Sequence, residues 1–175
     1  MTHSSPADLA AVYFPGPQSE SEAWVRAEFQ SVLDGWFGWR KGLFATDPAV
    51  ATRADRRGAA VLRERELMSQ RLSELCEALT AETPTHTPRY IGHMKAELSL
   101  PALFGWLAAM LHNPNITSNE AGKVGTVIER EAIAMLAEML GYDPDKAEGH
   151  FTSGGTVANF EAVWRARYRL DHWLS

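Results

Sequence analysis

The stretch Gly149-His150-Phe151-Thr152-Ser153-Gly154-Gly155-Thr156-Val157-Ala158-Asn159-Phe160-Glu161-Ala162 has the residue types and spacing best suited to chemistry in this chain, and the chemistry is anion binding. It reads as a short strand over 149–153, a hydroxyl- and glycine-rich turn, and a helix start. Glycines let the backbone approach a ligand closely. The first turn of a helix leaves unpaired N–H groups and a positive dipole end where a phosphate can sit. Ser153, Thr156 and Asn159 add side-chain donors. No lysine follows the glycines as a P-loop requires, and Ser-Gly-Gly-Thr-Val-Ala lacks the Rossmann glycine spacing, so a different phosphate is implied.

The elements that must position this turn are mostly helical. Residues 19–38 open with cap-type serines and an acidic first turn, then place Trp24, Phe29, Val32, Leu33 and Trp36 at helical spacing. Ala45-Thr46-Asp47-Pro48 breaks the pattern. A second helix over 59–81 carries Leu62, Met68, Leu72, Leu75 and Leu79 on one side, with Cys76 read as a core thiol among them. Its arginines, Arg57, Arg63, Arg65 and Arg71, read as a solvated or subunit-facing surface. The proline- and threonine-rich run from Glu82 to Pro88 ends this arm and delivers residues 89–94 as an extended segment. A helix over 101–112 follows, starting at Pro101 and apolar almost all round, so part of its surface is expected to meet a partner. After a loop, a helix over 126–140 is expected to bury Ile128, Ala132, Met135, Leu136 and Met139, with Gly141 at its C-cap. A last helix runs from 156 towards Trp173.

Composition narrows the function classes. The chain has 175 residues, 45% hydrophobic and 22% charged, which suits a globular unit with a core. A net charge of −5 gives no reason to expect nucleic acid or an anionic membrane as partner. One cysteine rules out an internal disulfide framework and suits a reducing compartment. No apolar run reaches spanning length and no signal peptide opens the sequence, so the expectation is a soluble, cytoplasmic protein. No Cys/His cluster has metal-ligand spacing, and Asp171-His172 has no placed serine to make a triad.

Phe-Thr-Ser-Gly-Gly-Thr-Val-Ala-Asn-Phe-Glu-Ala, continuing into Trp164-Arg165-Ala166-Arg167, resembles the phosphate loop of the group II pyridoxal-phosphate-dependent amino-acid decarboxylases. Further motifs agree in order along the chain: His86-Thr87-Pro88-Arg89-Tyr90-Ile91-Gly92-His93-Met94, Leu100-Pro101, Asn113-Pro114-Asn115, Thr126-Val127-Ile128-Glu129 and Met139-Leu140-Gly141-Tyr142. Phe14-Pro15-Gly16-Pro17 and Gly38-Trp39-Arg40-Lys41 are similar to the opening of the bacterial tyrosine-decarboxylase-like and glutamate-decarboxylase-like branch. The resemblance implies the α/β, type I pyridoxal-phosphate transferase fold. Residues 1–85 would be its N-terminal helical arm and residues 86–175 the start of its large domain, with that domain's first strand and helix.

The resemblance also implies roles. Ser153, Gly154, Gly155 and Thr156 would hold the phosphate of pyridoxal 5′-phosphate, and Tyr90, His93 and Met94 would border the substrate side chain. Glu129 would make a structural hydrogen bond. A plain N-capped helix is the alternative for the turn, and a structural histidine the alternative for His93. Lys123 stands in a Gly-Lys pair where relatives show Ser-Pro, and reads as solvent-facing. In this family the Schiff-base lysine, the acid beside the pyridine nitrogen and the stacking ring follow the phosphate loop, whereas Lys41, Lys95, Lys123 and Lys146 all precede it. The expectation is the first part of a decarboxylase of aromatic or acidic L-amino acids, giving amine and carbon dioxide. It is not self-sufficient, and works as a homodimer or with a complementing C-terminal polypeptide. Two other readings stand beside it: a non-catalytic assembly or dimerisation module, and a site for another phosphorylated metabolite.

Overall fold

The computed structural model describes residues 5–93 and 97–174. Helices α1 (Pro6–Tyr13), α2 (Glu22–Leu43), α3 (Ala59–Leu79), α4 (Leu100–His112), α5 (Asn119–Gly122), α6 (Val124–Met139) and α7 (Gly155–Leu174) account for most of them, with one 3-10 turn at Asp55–Arg57. The chain forms two compact units, Met1–His112 and Asn113–Ser175. Each helix expected from sequence is present, and α1 and the single turn of α5, which falls within the expected loop over 116–125, are additions. The signal for α1 is Ser5-Pro6 followed by Asp8. The Ser5 hydroxyl accepts from the Asp8 N–H at 3.1 Å and the Asp8 carboxylate accepts from the Ser5 N–H at 2.8 Å, a capping box with proline inside the first turn.

That box makes a pH prediction. The Ser5 side chain, and then its backbone N–H, hold the Asp8 carboxyl below its ordinary value. A carboxyl lowered in the folded state stabilises above its unfolded pKa, and that contribution disappears as pH falls through the folded one. Acidification below the usual aspartate range should therefore fray the start of α1. Cα chemical shifts of residues 6–13 that stay constant through the titration would contradict this.

In the first unit α2 and α4 pack together. Residues Val25, Glu28, Phe29, Val32, Leu33 and Trp36 form the partly buried side of α2, the i, i+3, i+4, i+7 repeat of a helix facing a neighbour. The Phe104 ring of α4 meets the edges of Trp24 and Phe29, each 5.7 Å away between centroids, and Trp39 lies 5.1 Å from the His112 ring. Leu100, at the start of α4, is 0% exposed. The opposite side of α4 is open: Trp106 is 69% and Met110 66% exposed, as expected for a helix apolar nearly all round. The helix α2 starts at Glu22 rather than at Ser19, which sits in a turn at φ 59°.

Two expectations about buried stripes are overturned. Cys76 is exposed, as are Leu72, Leu75 and Leu79, because among the described residues α3 packs against little besides the 3-10 turn before it. In α6 the side turned inward carries Thr126, Glu129, Ile133 and Ala137; of the expected stripe only Ala132 is half-buried, while Ile128, Met135, Leu136 and Met139 are exposed. Small residues explain the exchange. Gly122 is buried where a Cβ would meet the Asn115 carbonyl oxygen at 2.9 Å and the Thr126 methyl at 2.7 Å, so the 113–117 segment can approach only a side without bulk. The α6 C-terminus closes in a Schellman motif. Gly141 at φ 81° donates to Glu138 O at 3.0 Å, and Tyr142 donates to Ala137 O at 2.9 Å.

The strand expected over 149–153 is also corrected. Those residues form no strand, and no strand occurs among the described residues. A strand exists through hydrogen bonds to a neighbouring strand, and among the described residues there is no strand for 149–153 to pair with. The α/β half of the expected fold is thus absent from the described residues, which are helical with connecting loops. Large apolar side chains are exposed along α7, Phe160, Val163, Trp164, Tyr168 and Trp173 among them. No described helix is long and apolar enough to cross a membrane.

Candidate functional site: the turn before α7

The second unit presents Ser153, Gly154, Gly155 and Thr156 in one turn that becomes the N-terminus of α7. Gly154 is the cap. Its carbonyl accepts the first helical bond, from the Ala158 N–H at 3.1 Å, and it also accepts from the Thr152 hydroxyl at 3.1 Å. The N–H groups of Gly155, Thr156 and Val157 therefore lie in the first turn, beyond the reach of any intrahelical carbonyl. Space over the turn is open: a Cβ on Gly154 or Gly155 would meet nothing within 4 Å. All four residues are exposed.

Two polar contacts hold the segment leading into the turn. The Phe151 N–H donates to Glu129 Oε1 at 2.9 Å, which gives the glutamate of α6 the structural hydrogen bond expected of it. One residue earlier, His150 Nε2 lies 2.7 Å from Glu161 Oε2 on α7, with His150 exposed and Glu161 half-buried. A carboxylate can only accept, so Nε2 carries the hydrogen of this bond. Neither His150 nor Glu161 was distinguishable in the sequence as a pair. Their separation of eleven positions carries no signal, because His150 precedes the glycine turn and Glu161 follows it on α7, and only the fold of the turn brings them together. Beside them is an open concavity of about 730 Å³ lined by residues 113–117 with Glu129, His150 and Phe151. It does not include the turn at 153–156.

The expected substrate-side residues belong to the first unit. Successive turns through Thr85, Thr87 and Tyr90 replace the start of the anticipated extended segment, with the Tyr90 N–H donating to Thr87 O at 2.9 Å. The Tyr90 ring covers Gly92, occupying the place where a Cβ would stand. His93 is exposed, and Met94 and Lys95 lie outside the described residues. Lys123, at φ 38° between α5 and α6, is exposed as expected.

A glycine turn whose backbone opens onto a helix N-terminus has the geometry that suits an anion. Comparison with known proteins adds the relatives of the chain. The chain is 32% identical over 162 residues to the L-tyrosine decarboxylase of Levilactobacillus brevis, covering 91% of this chain and 25% of that protein. It is 30% identical over 162 residues to the L-tyrosine decarboxylase of Enterococcus faecium, covering 91% of this chain and 26% of the relative. The aspartate 1-decarboxylase of Aliivibrio fischeri matches at 32% over 117 residues, 59% of this chain and 21% of the relative. No family model matches the chain. The chain thus spans about a quarter of the length of the tyrosine decarboxylases it matches. Over nine-tenths of its own length it is similar to the group II pyridoxal-phosphate-dependent amino-acid decarboxylases, as its motifs indicate.

The residues of the turn suit a phosphate. Unclaimed N–H groups at Gly155 and Thr156, a hydroxyl on Thr156 and clear space above two glycines are what a phosphate monoester needs from a protein.

Proposed function

We propose that these residues form part of an amino-acid decarboxylase. It would convert an aromatic or acidic L-amino acid to an amine and carbon dioxide, with pyridoxal 5′-phosphate bound by this chain's turn at Ser153, Gly154, Gly155 and Thr156. The observation that carries the reading is the coincidence of that turn, open and poised at the α7 N-terminus, with collinear similarity to tyrosine decarboxylases over 91% of the chain. When bound, the cofactor supplies an electron sink for the pair left behind as carbon dioxide departs. This chain's residues bind and orient: the Gly155 and Thr156 N–H groups and the Thr156 hydroxyl hold the phosphate, and Tyr90, His93 and Met94 wall the substrate side. The division into a helical arm, 1–85, and the start of the cofactor domain, 86–175, belongs to the same proposal. So does a cofactor-bearing lysine outside Lys41, Lys95, Lys123 and Lys146.

The exposed apolar sides of α4, α6 and α7 support an assembled protein, a homodimer or a complex with a complementing polypeptide, in which those sides are covered. A purely structural assembly module is the second reading, favoured by the same exposure. An assay of the full-length protein for carbon dioxide release from tyrosine, aspartate, glutamate and 2,4-diaminobutyrate separates the two, since a module would release none.

Substrate choice is expected to depend on His93. A neutral imidazole can donate one hydrogen bond to a phenol or carboxylate, and a site that loses such a donor discriminates less between side chains that need it and those that do not. His93→Gln should reorder kcat/KM among tyrosine and the acidic amino acids while leaving cofactor affinity unchanged. Equal proportional losses for every substrate would contradict the assignment.

A further inference from the structure

We infer that His150 and Glu161 are positioning residues for the cofactor-phosphate turn, acting as a clasp that closes the chain around it. The inference rests on the phosphate reading of that turn. Residues 147–152 enter the turn without strand pairing, so little backbone hydrogen bonding fixes their direction. Two side chains do the fixing instead, on consecutive residues. Glu129 of α6 accepts from the Phe151 N–H, and Glu161 of α7 accepts from His150 Nε2. The second contact is the one that brackets the turn. Glu161 lies almost two helical turns beyond Gly155, so the bond ties the segment entering the turn to the helix leaving it, with Phe151 to Phe160 enclosed between them.

The consequence is geometric. The Gly155, Thr156 and Val157 N–H groups take their direction from α7, whereas Ser153 faces the same anion only if the incoming chain keeps one angle to the helix, and the Gly154-Gly155 pair, with open space where side chains would stand, does not impose it. A turn left free must be ordered when the phosphate binds, and that ordering is subtracted from affinity. The clasp removes the cost beforehand. It touches neither the reacting atoms nor the phosphate, and its effect should be confined to how strongly the phosphate is held.

Glu161→Ala and Glu161→Gln in the full chain test the clasp, because glutamine keeps an acceptor for His150 Nε2 and alanine does not. Amide hydrogen exchange over residues 151–156 without cofactor should accelerate several-fold in Glu161→Ala and return towards the parent rate in Glu161→Gln. Affinity for pyridoxal 5′-phosphate should fall about five- to ten-fold in Glu161→Ala, with binding of pyridoxal, which lacks the phosphate, unchanged. Unaltered exchange overturns the clasp, and so does an equal loss for both ligands. If the parent protein shows no preference for pyridoxal 5′-phosphate over pyridoxal, the phosphate reading fails, and the exchange measurement still decides whether His150 and Glu161 order the turn.

Discussion

Leu100→Ala should destabilise the first unit by about 2–5 kcal/mol, the range for emptying a fully buried leucine site. Leu100 is 0% exposed and is the largest fully buried side chain among the described residues. It stands at the first position of α4, the helix that packs on α2 and α1, so the cavity would form at the start of that helix. With so little else buried, the surroundings have few large side chains with which to refill the space. Urea denaturation followed by tryptophan fluorescence measures the effect. Trp106→Ala on the open side of α4 serves as the control and should change stability by no more than about 0.5 kcal/mol in an unassembled chain. A loss for Leu100→Ala no larger than that of Trp106→Ala would mean that α4 is not anchored as described.

The second large effect concerns the cofactor. Thr156→Ala should weaken pyridoxal 5′-phosphate binding in the full-length protein about ten-fold, since one hydrogen bond to a charged group contributes on the order of 1.5–3 kcal/mol. The N–H groups of Gly155, residue 156 and Val157 remain in the variant, so binding is reduced rather than abolished. Helix stability should barely change, because the described cap of α7 is the Gly154 carbonyl and involves no threonine hydroxyl. Equilibrium dialysis giving an unchanged dissociation constant would remove Thr156 from the phosphate site.

Helices were legible in the sequence because each carries its own signal. The 3.6-residue repeat in α2, Pro101 at the start of α4 and Gly141 at the end of α6 all specify local structure without reference to distant residues. Which side of a helix is buried was less legible. Ile128, Met135 and Met139 form an apolar stripe by pattern, yet the loop at 113–117 approaches at the small residues Gly122 and Gly125 instead. A stripe of that kind reports what a helix can cover, not what covers it within this chain. The strand over 149–153 failed for a related reason: β structure is a property of pairs, and a single apolar segment cannot show its partner. Within the site, Ser153, Gly154, Gly155 and Thr156 could be read directly because they are consecutive. The bond between His150 and Glu161 could not, since it depends on the path of the chain between them.

The structure of the full-length protein with pyridoxal 5′-phosphate bound tests the central claim most directly. The account predicts phosphate oxygens within about 2.7–3.1 Å of the Gly155 N–H and the Thr156 hydroxyl, at the N-terminus of α7. A phosphate held by other residues, with the turn at 153–156 left open to solvent, would contradict it.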